Sequence, residues 1–147
     1  MNAPAKEELK SIAARVLHRR LDSSASPDPE KMLSAIGRAW DDAGKLLAPI
    51  IGEAGFSALR SRALHLAQRE YPPDRAAAPT AAEKLPVDLE TWLQQFEPAL
   101  TIEAASAMFS AFANLLHNLI GERLTMRLLR KAWPEGFPPP ESKETGP

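Results

Sequence analysis

Histidine is the side chain best placed for proton or phosphoryl chemistry near neutral pH, and the chain has three: His18, His65 and His117. Each falls on a separate expected helix. No two stand at an i, i+4 spacing and no H-E-x-x-H motif occurs, so no metal site is expected. Cysteine is absent, which excludes disulfides, thiol nucleophiles and Cys-ligated zinc or iron–sulfur centres. Glu53 and Glu122 each follow the dipeptide Ile-Gly, and a matched pair of carboxylates is what general acid–base work requires. Ion pairs with neighbouring arginines are the structural alternative for both. The chain has no G-x-S-x-G elbow, no G-x-x-x-x-G-K-[ST] loop and no G-x-G-x-x-G fingerprint. Gly52-Glu53-Ala54-Gly55 is too short to cradle phosphates and reads as a junction between helices. No cofactor is expected.

His117 has the most suggestive setting. His117-Asn118-Leu119-Ile120-Gly121 resembles part of the phosphoacceptor motif of histidine phosphotransfer domains, in which a helix-borne His is followed by Leu, a basic residue and Gly. The resemblance implies a helical bundle with His117 as acceptor and Gly121 clearing space beside the imidazole. It covers only this short segment. Ile120 stands where the family has Lys or Arg, a residue that would help to hold a phosphoryl group, and Glu122 would repel one. The reading without the family is a partly buried histidine hydrogen-bonded beside Asn114 and Asn118.

Arginines form a third constellation. Arg123, Arg127 and Arg130 recur on one helical face, Arg60, Arg62 and Arg69 fall on another helix, and Arg15, Arg19 and Arg20 on the first. Such a face suits nucleic acid or an acidic protein. The chain as a whole carries 18 Lys+Arg against 19 Asp+Glu, a net charge of -1, so it has no general attraction for nucleic acid or anionic lipid. No aromatics interleave with the arginines. A solvated helix face is the ordinary role of such residues.

The elements that must position these groups are helical. Val, Ile, Thr and Tyr are scarce and no period-2 stretch occurs, so no sheet is expected. Proline punctuates the chain. The first helix is expected from about Pro4 to Leu21. A second opens at Asp28-Pro29-Glu30 and ends or kinks at Pro49; a third runs from about Glu53 to Glu70. Residues 72–86 read as a surface linker rich in Ala and Pro. Asp88 caps a short amphipathic helix that Pro98 ends. Thr101 caps a last helix running to about Trp133, and 134–147 reads as a disordered Pro-rich tail. Residues 1–133 then form one domain. Trp40, Trp92, Phe96, Phe109 and Phe112 fall at core spacing.

Two patterns bear on assembly. LLAPIIGEAGFSALRSRAL from Leu46 echoes LLHNLIGERLTMRLLRKAW from Leu115, 69 residues on, with Ile51-Gly52-Glu53 matching Ile120-Gly121-Glu122. This predicts two similar helical segments about a pseudo-two-fold axis. Second, Ala104 to Gly121 carries no Asp, Glu, Lys or Arg. Ser106, Ser110, Asn114, His117 and Asn118 make it a poor membrane span, and it reads as a central helix. Small residues at Ala104, Ala107, Ser110 and Ala111 suit close helix contact, including with a second copy.

The expected fold is therefore an all-α bundle of about five helices, built as a duplicated hairpin around a long C-terminal helix. The leading functional expectation is a non-catalytic, cytoplasmic regulatory or adaptor protein whose partner is another protein, compatible with a homo-oligomer. A histidine phosphotransfer-like module using His117 is the alternative, and a nucleic-acid-binding helical protein the third. Gly52, Glu53, Gly121, Glu122, Arg123 and Arg127 are the candidate structural or interaction residues.

Overall fold

Proline and glycine set the boundaries of the two longest helices. The computed structural model describes residues 6–20, 29–72 and 88–134, and every regular element among them is helical. They are α1 (Lys6–Arg20), α2 (Pro29–Ile51), α3 (Glu53–Glu70), α4 (Leu89–Gln94), α5 (Pro98–Ile120) and α6 (Glu122–Ala132). The expected linker and tail lie outside these residues, apart from Pro72 and Pro134. α2 and α5 each have 23 residues and each begins on a proline, whose missing N–H would have no partner in the first turn. Each stops at a glycine with nearly the same unusual backbone: φ 88, ψ 153 at Gly52 and φ 93, ψ 159 at Gly121. Residues with a side chain rarely reach this region, so glycine is required at both elbows.

The elbows are also hydrogen-bonded alike. Gly52 N–H donates to Ala48 O at 2.7 Å and Gly121 N–H to His117 O at 2.8 Å, closing α2 and α5. Phe56 N–H then donates to Gly52 O at 2.9 Å and Thr125 N–H to Gly121 O at 3.1 Å, opening α3 and α6. The 69-residue echo is thus a repeated helix–glycine–helix unit, α2–α3 and α5–α6.

Three sequence expectations change. The described residues hold six helices rather than the expected five or so, because Gly121 divides the stretch expected as one helix to Trp133. Thr101 is not a cap but lies inside α5; Pro98 takes the first position and Glu97 precedes it. The Thr101 hydroxyl is placed to donate to Leu93 O, Phe96 O and Glu97 O, at 3.3, 3.2 and 3.1 Å, which ties α4 to the start of α5. Pro49 sits within α2, which continues to Ile51; the stop comes from Gly52.

α3 packs on α5 and α6 packs on α2, so the second helix of each unit covers the first helix of the other. α2 and α5 lie side by side in the same direction. Near their starts Met32 and Thr101 line one small cavity, and further along the Trp40 and Phe109 rings meet at 4.6 Å between centroids. Both pairs are equivalents under the repeat. Equivalent residues face each other under a two-fold rotation, not under a translation, so the units surround an approximate two-fold axis along α2 and α5. Both glycine elbows therefore sit at one end of the bundle.

The core is aromatic at its centre. Trp40 also meets Phe112 edge-on at 5.0 Å and Trp133 at 6.1 Å. Trp133 Nε1 donates to Ala39 O at 2.8 Å, fixing the end of α6 to the middle of α2. Trp92, fully buried on α4, donates from Nε1 to Tyr71 O at 2.8 Å, so this short helix docks on its own domain. α5 is long and apolar enough to cross a membrane by length and composition, yet 67% of its apolar window is buried inside the fold. Ala104, Ala107 and Ser110 are covered by the chain's own helices, so their burial requires no second copy.

Candidate functional site

α6 separates its side chains by type. Thr125, Leu128, Leu129 and Ala132 are buried, while Arg123, Arg127, Arg130 and Lys131 are exposed. The spacing follows from 3.6 residues per turn: Arg123, Arg127 and Lys131 stand at i, i+4 and i+8 along one stripe. Arg123, Arg127 and Lys131 have no ion pair among the described residues. The stripe ends where the helix does, so its last charges also face the negative end of the α6 dipole.

The opposite charge gathers elsewhere. Between Asp88 and Gly121 the acidic and basic residues are Asp88, Glu90, Glu97 and Glu103, all acidic and all exposed. Asp88, Glu90 and Glu97 lie around α4 and the start of α5, away from the elbow that launches α6. The stretch from Asp88 to Gly121 is thus acidic, and the basic stripe follows it on α6.

The two elbows hold the other candidate residues. Gly52 and Gly121 are brought to one end of the bundle, and Glu53 and Glu122 take the first position of α3 and α6. There each carboxylate complements the helix dipole. The expected ion pairs with arginine do not form: neither glutamate has an ionic partner among the described residues, and Arg123, next to Glu122 in the chain, is not on the same face of the helix as a residue three or four positions on would be. Ile50 and Leu119, two residues before the elbow glycines, are 47% and 57% exposed and are equivalents under the repeat.

His117 is half-buried on α5, one turn before Gly121. Its Nδ1 is enclosed and has no hydrogen-bond partner. The expected bond to Asn114 or Asn118 is not made: both amides are exposed and line a groove of about 440 Å³ between α3 and α5, with Arg69 and Leu66 opposite. His65 is exposed on α3. His18 lies on α1, and no group of three or more metal-ligand side chains occurs among the described residues.

One arrangement left no trace in the sequence. α1 and α5 enclose a groove of about 480 Å³ walled by Ser11, Ala14, His18, Ile102, Glu103 and Ser106. At one end Lys10 Nζ donates to Glu70 at 2.7 Å and lies 5.6 Å from the centre of the Tyr71 ring. The Glu70 carboxylate raises the Lys10 pKa above its ordinary value, against the opposing effect of partial burial. Tyr71 Oη donates to Glu103 at 3.4 Å. The space exists because small side chains face each other across two helices far apart in the chain, a pattern no local motif records.

Comparison with protein-family models, with curated proteins and with solved structures returns no match.

Proposed function

We propose that the protein is a non-catalytic, cytoplasmic adaptor whose α6 stripe docks an acidic segment of another protein. The observation that carries this reading is the row of exposed Arg123, Arg127 and Lys131, which have no ion pair among the described residues. Guanidinium groups in a row form bidentate bonds with carboxylates, and Arg is enriched at protein interfaces. A net charge of -1 and the acidic α4–α5 end disfavour a polyanion as long as nucleic acid, which would meet repulsion beyond the stripe. The phosphoacceptor reading of His117 gains nothing from the enclosed Nδ1.

The test is affinity capture from source cells followed by cross-linking and mass spectrometry, comparing the wild type with an Arg123→Glu/Arg127→Glu variant. The expected result is a partner cross-linked to α6 through an Asp- and Glu-rich segment, captured at least tenfold less by the variant and released by salt. Equal capture by the variant, or cross-links placed elsewhere, overturns the proposal.

A further inference from the structure

We propose that the acidic segment docked by α6 also lies across α2, held there by a second row of cations; this rests on the adaptor reading above. α2 exposes Lys31, Arg38 and Lys45, and none has an ion pair among the described residues. They stand seven residues apart, a spacing that returns to nearly the same face of a helix. The exposed acids of α2, Glu30 and Asp41, fall toward Gly44, the side on which Phe56 of α3 lies. The three cations lie on the flank nearer Ala39, where α6 docks through Trp133 Nε1 at 2.8 Å. The exposed surface of α2 is thus divided by charge, with its basic half next to α6.

The two rows are brought level by the fold. α2 runs toward the end that holds the elbows and α6 runs away from it. Trp133, just past α6, lies beside Ala39, so Lys131 and Arg127 pass the stretch of α2 from Arg38 to Lys45. Packed helices keep their axes about 8–10 Å apart, so one chain segment reaches both rows. Their complement is a protein segment dense in Asp and Glu, with carboxylates for two helices rather than one. Glu30 and Asp41 bound the face on its α3 side. A long, stiff polyanion meets repulsion there, whereas a short acidic segment ends before it.

Fluorescence anisotropy of a fluorescein-labelled oligoglutamate, titrated with the full chain near physiological salt, provides the test. Arg38→Glu/Lys45→Glu is expected to weaken binding about tenfold, as is Arg123→Glu/Arg127→Glu, because each removes two exposed ion pairs and adds repulsion. Arg62→Glu/Arg69→Glu on α3 makes the same change in net charge away from this face and should leave affinity within about twofold, since salt screens distant charges. All six positions are exposed, so circular dichroism of the variants should match the wild type. A loss in the α6 variant alone overturns the proposal and leaves the adaptor reading standing. Unchanged binding in the α6 variant removes the adaptor reading and this one with it. No binding by the wild type, equal losses in all three variants, or tighter binding of a duplex DNA of equal charge also overturns the proposal.

Discussion

Trp40 and Phe109 hold the same position in two units 69 residues apart, and their rings lie against each other at 4.6 Å with 30° between planes. Their contact is one of several aromatic contacts through which the two units meet. Trp40 is 3% exposed and Phe109 1%, so truncating either leaves a large void on the axis. Phe109→Ala is expected to cost about 3–5 kcal/mol, the ordinary range for a buried aromatic. Urea denaturation followed by circular dichroism measures it. A loss below about 1 kcal/mol would show that the two long helices do not depend on this contact.

The elbows make a sharper prediction about backbone. A Cβ built on Gly52 or Gly121 meets nothing within 4 Å, so the cost of substitution is conformational alone. Gly52→Ala and Gly121→Ala should each destabilise by about 1–3 kcal/mol. Asn, which often replaces glycine in the left-handed helical region, should not help, because ψ near 155 lies outside that region. A D-alanine introduced by semisynthesis should restore most of the loss. Thermal melts of the wild type and of the Ala, Asn and D-Ala variants at each elbow decide the matter.

Asp88 caps α4 by accepting from Thr91 N–H at 3.2 Å. Asp88→Ala is expected to lower stability by about 1 kcal/mol, and Asp88→Asn by much less. Chemical denaturation of both variants checks the order. Equal losses would point to charge rather than capping.

Lys10 and Glu70 give a pH dependence. The folded pKa of Lys10 is raised, chiefly by its hydrogen bond to Glu70. The pair therefore stabilises fully below the ordinary lysine pKa, and its contribution is lost as pH rises through the folded value. Both side chains are partly exposed, at 27% and 35%, so the contribution should stay under about 1 kcal/mol. The stability difference between wild type and Glu70→Gln should shrink as pH is raised above that ordinary value. A difference that grows with pH would reverse the assignment.

Trp133 offers a test of a single hydrogen bond. Trp133→Phe keeps most of the ring but removes the N–H that donates to the Ala39 carbonyl, which keeps its place in the hydrogen-bond ladder of α2. The expected cost is about 1 kcal/mol for the lost hydrogen bond, together with the lost indole volume. Equilibrium unfolding of the variant measures it.

Much of the fold was legible because proline and glycine act through their own backbones. Pro29 and Asp88 mark helix starts in the sequence and in the structure. Gly52 was legible as a junction, whereas Gly121 was hidden by an apolar period that continues across it from Leu116 to Leu128. The repeat contained the missing information: a break at Gly52 implies one at Gly121, and a start at Pro29 implies one at Pro98. Thr101 looked like a cap because its hydroxyl does bond to backbone, but to carbonyls before it rather than to N–H groups after it. The basic stripe on α6 was visible as spacing. The α1–α5 groove was not, since Ala14 and Ser106 carry no signal until the helices bring them together.

The exchange of second helices between the units has a consequence for the connection between them. Contacts of α3 with α5, of α6 with α2 and of α1 with α5 all cross from one half of the chain to the other. In the sequence the two halves are joined between Pro72 and Asp88, a covalent link that raises the local concentration of two interlocked partners. Severing it should leave a non-covalent heterodimer whose fragments recover each other after mixing, which makes this chain a natural candidate for a split reporter.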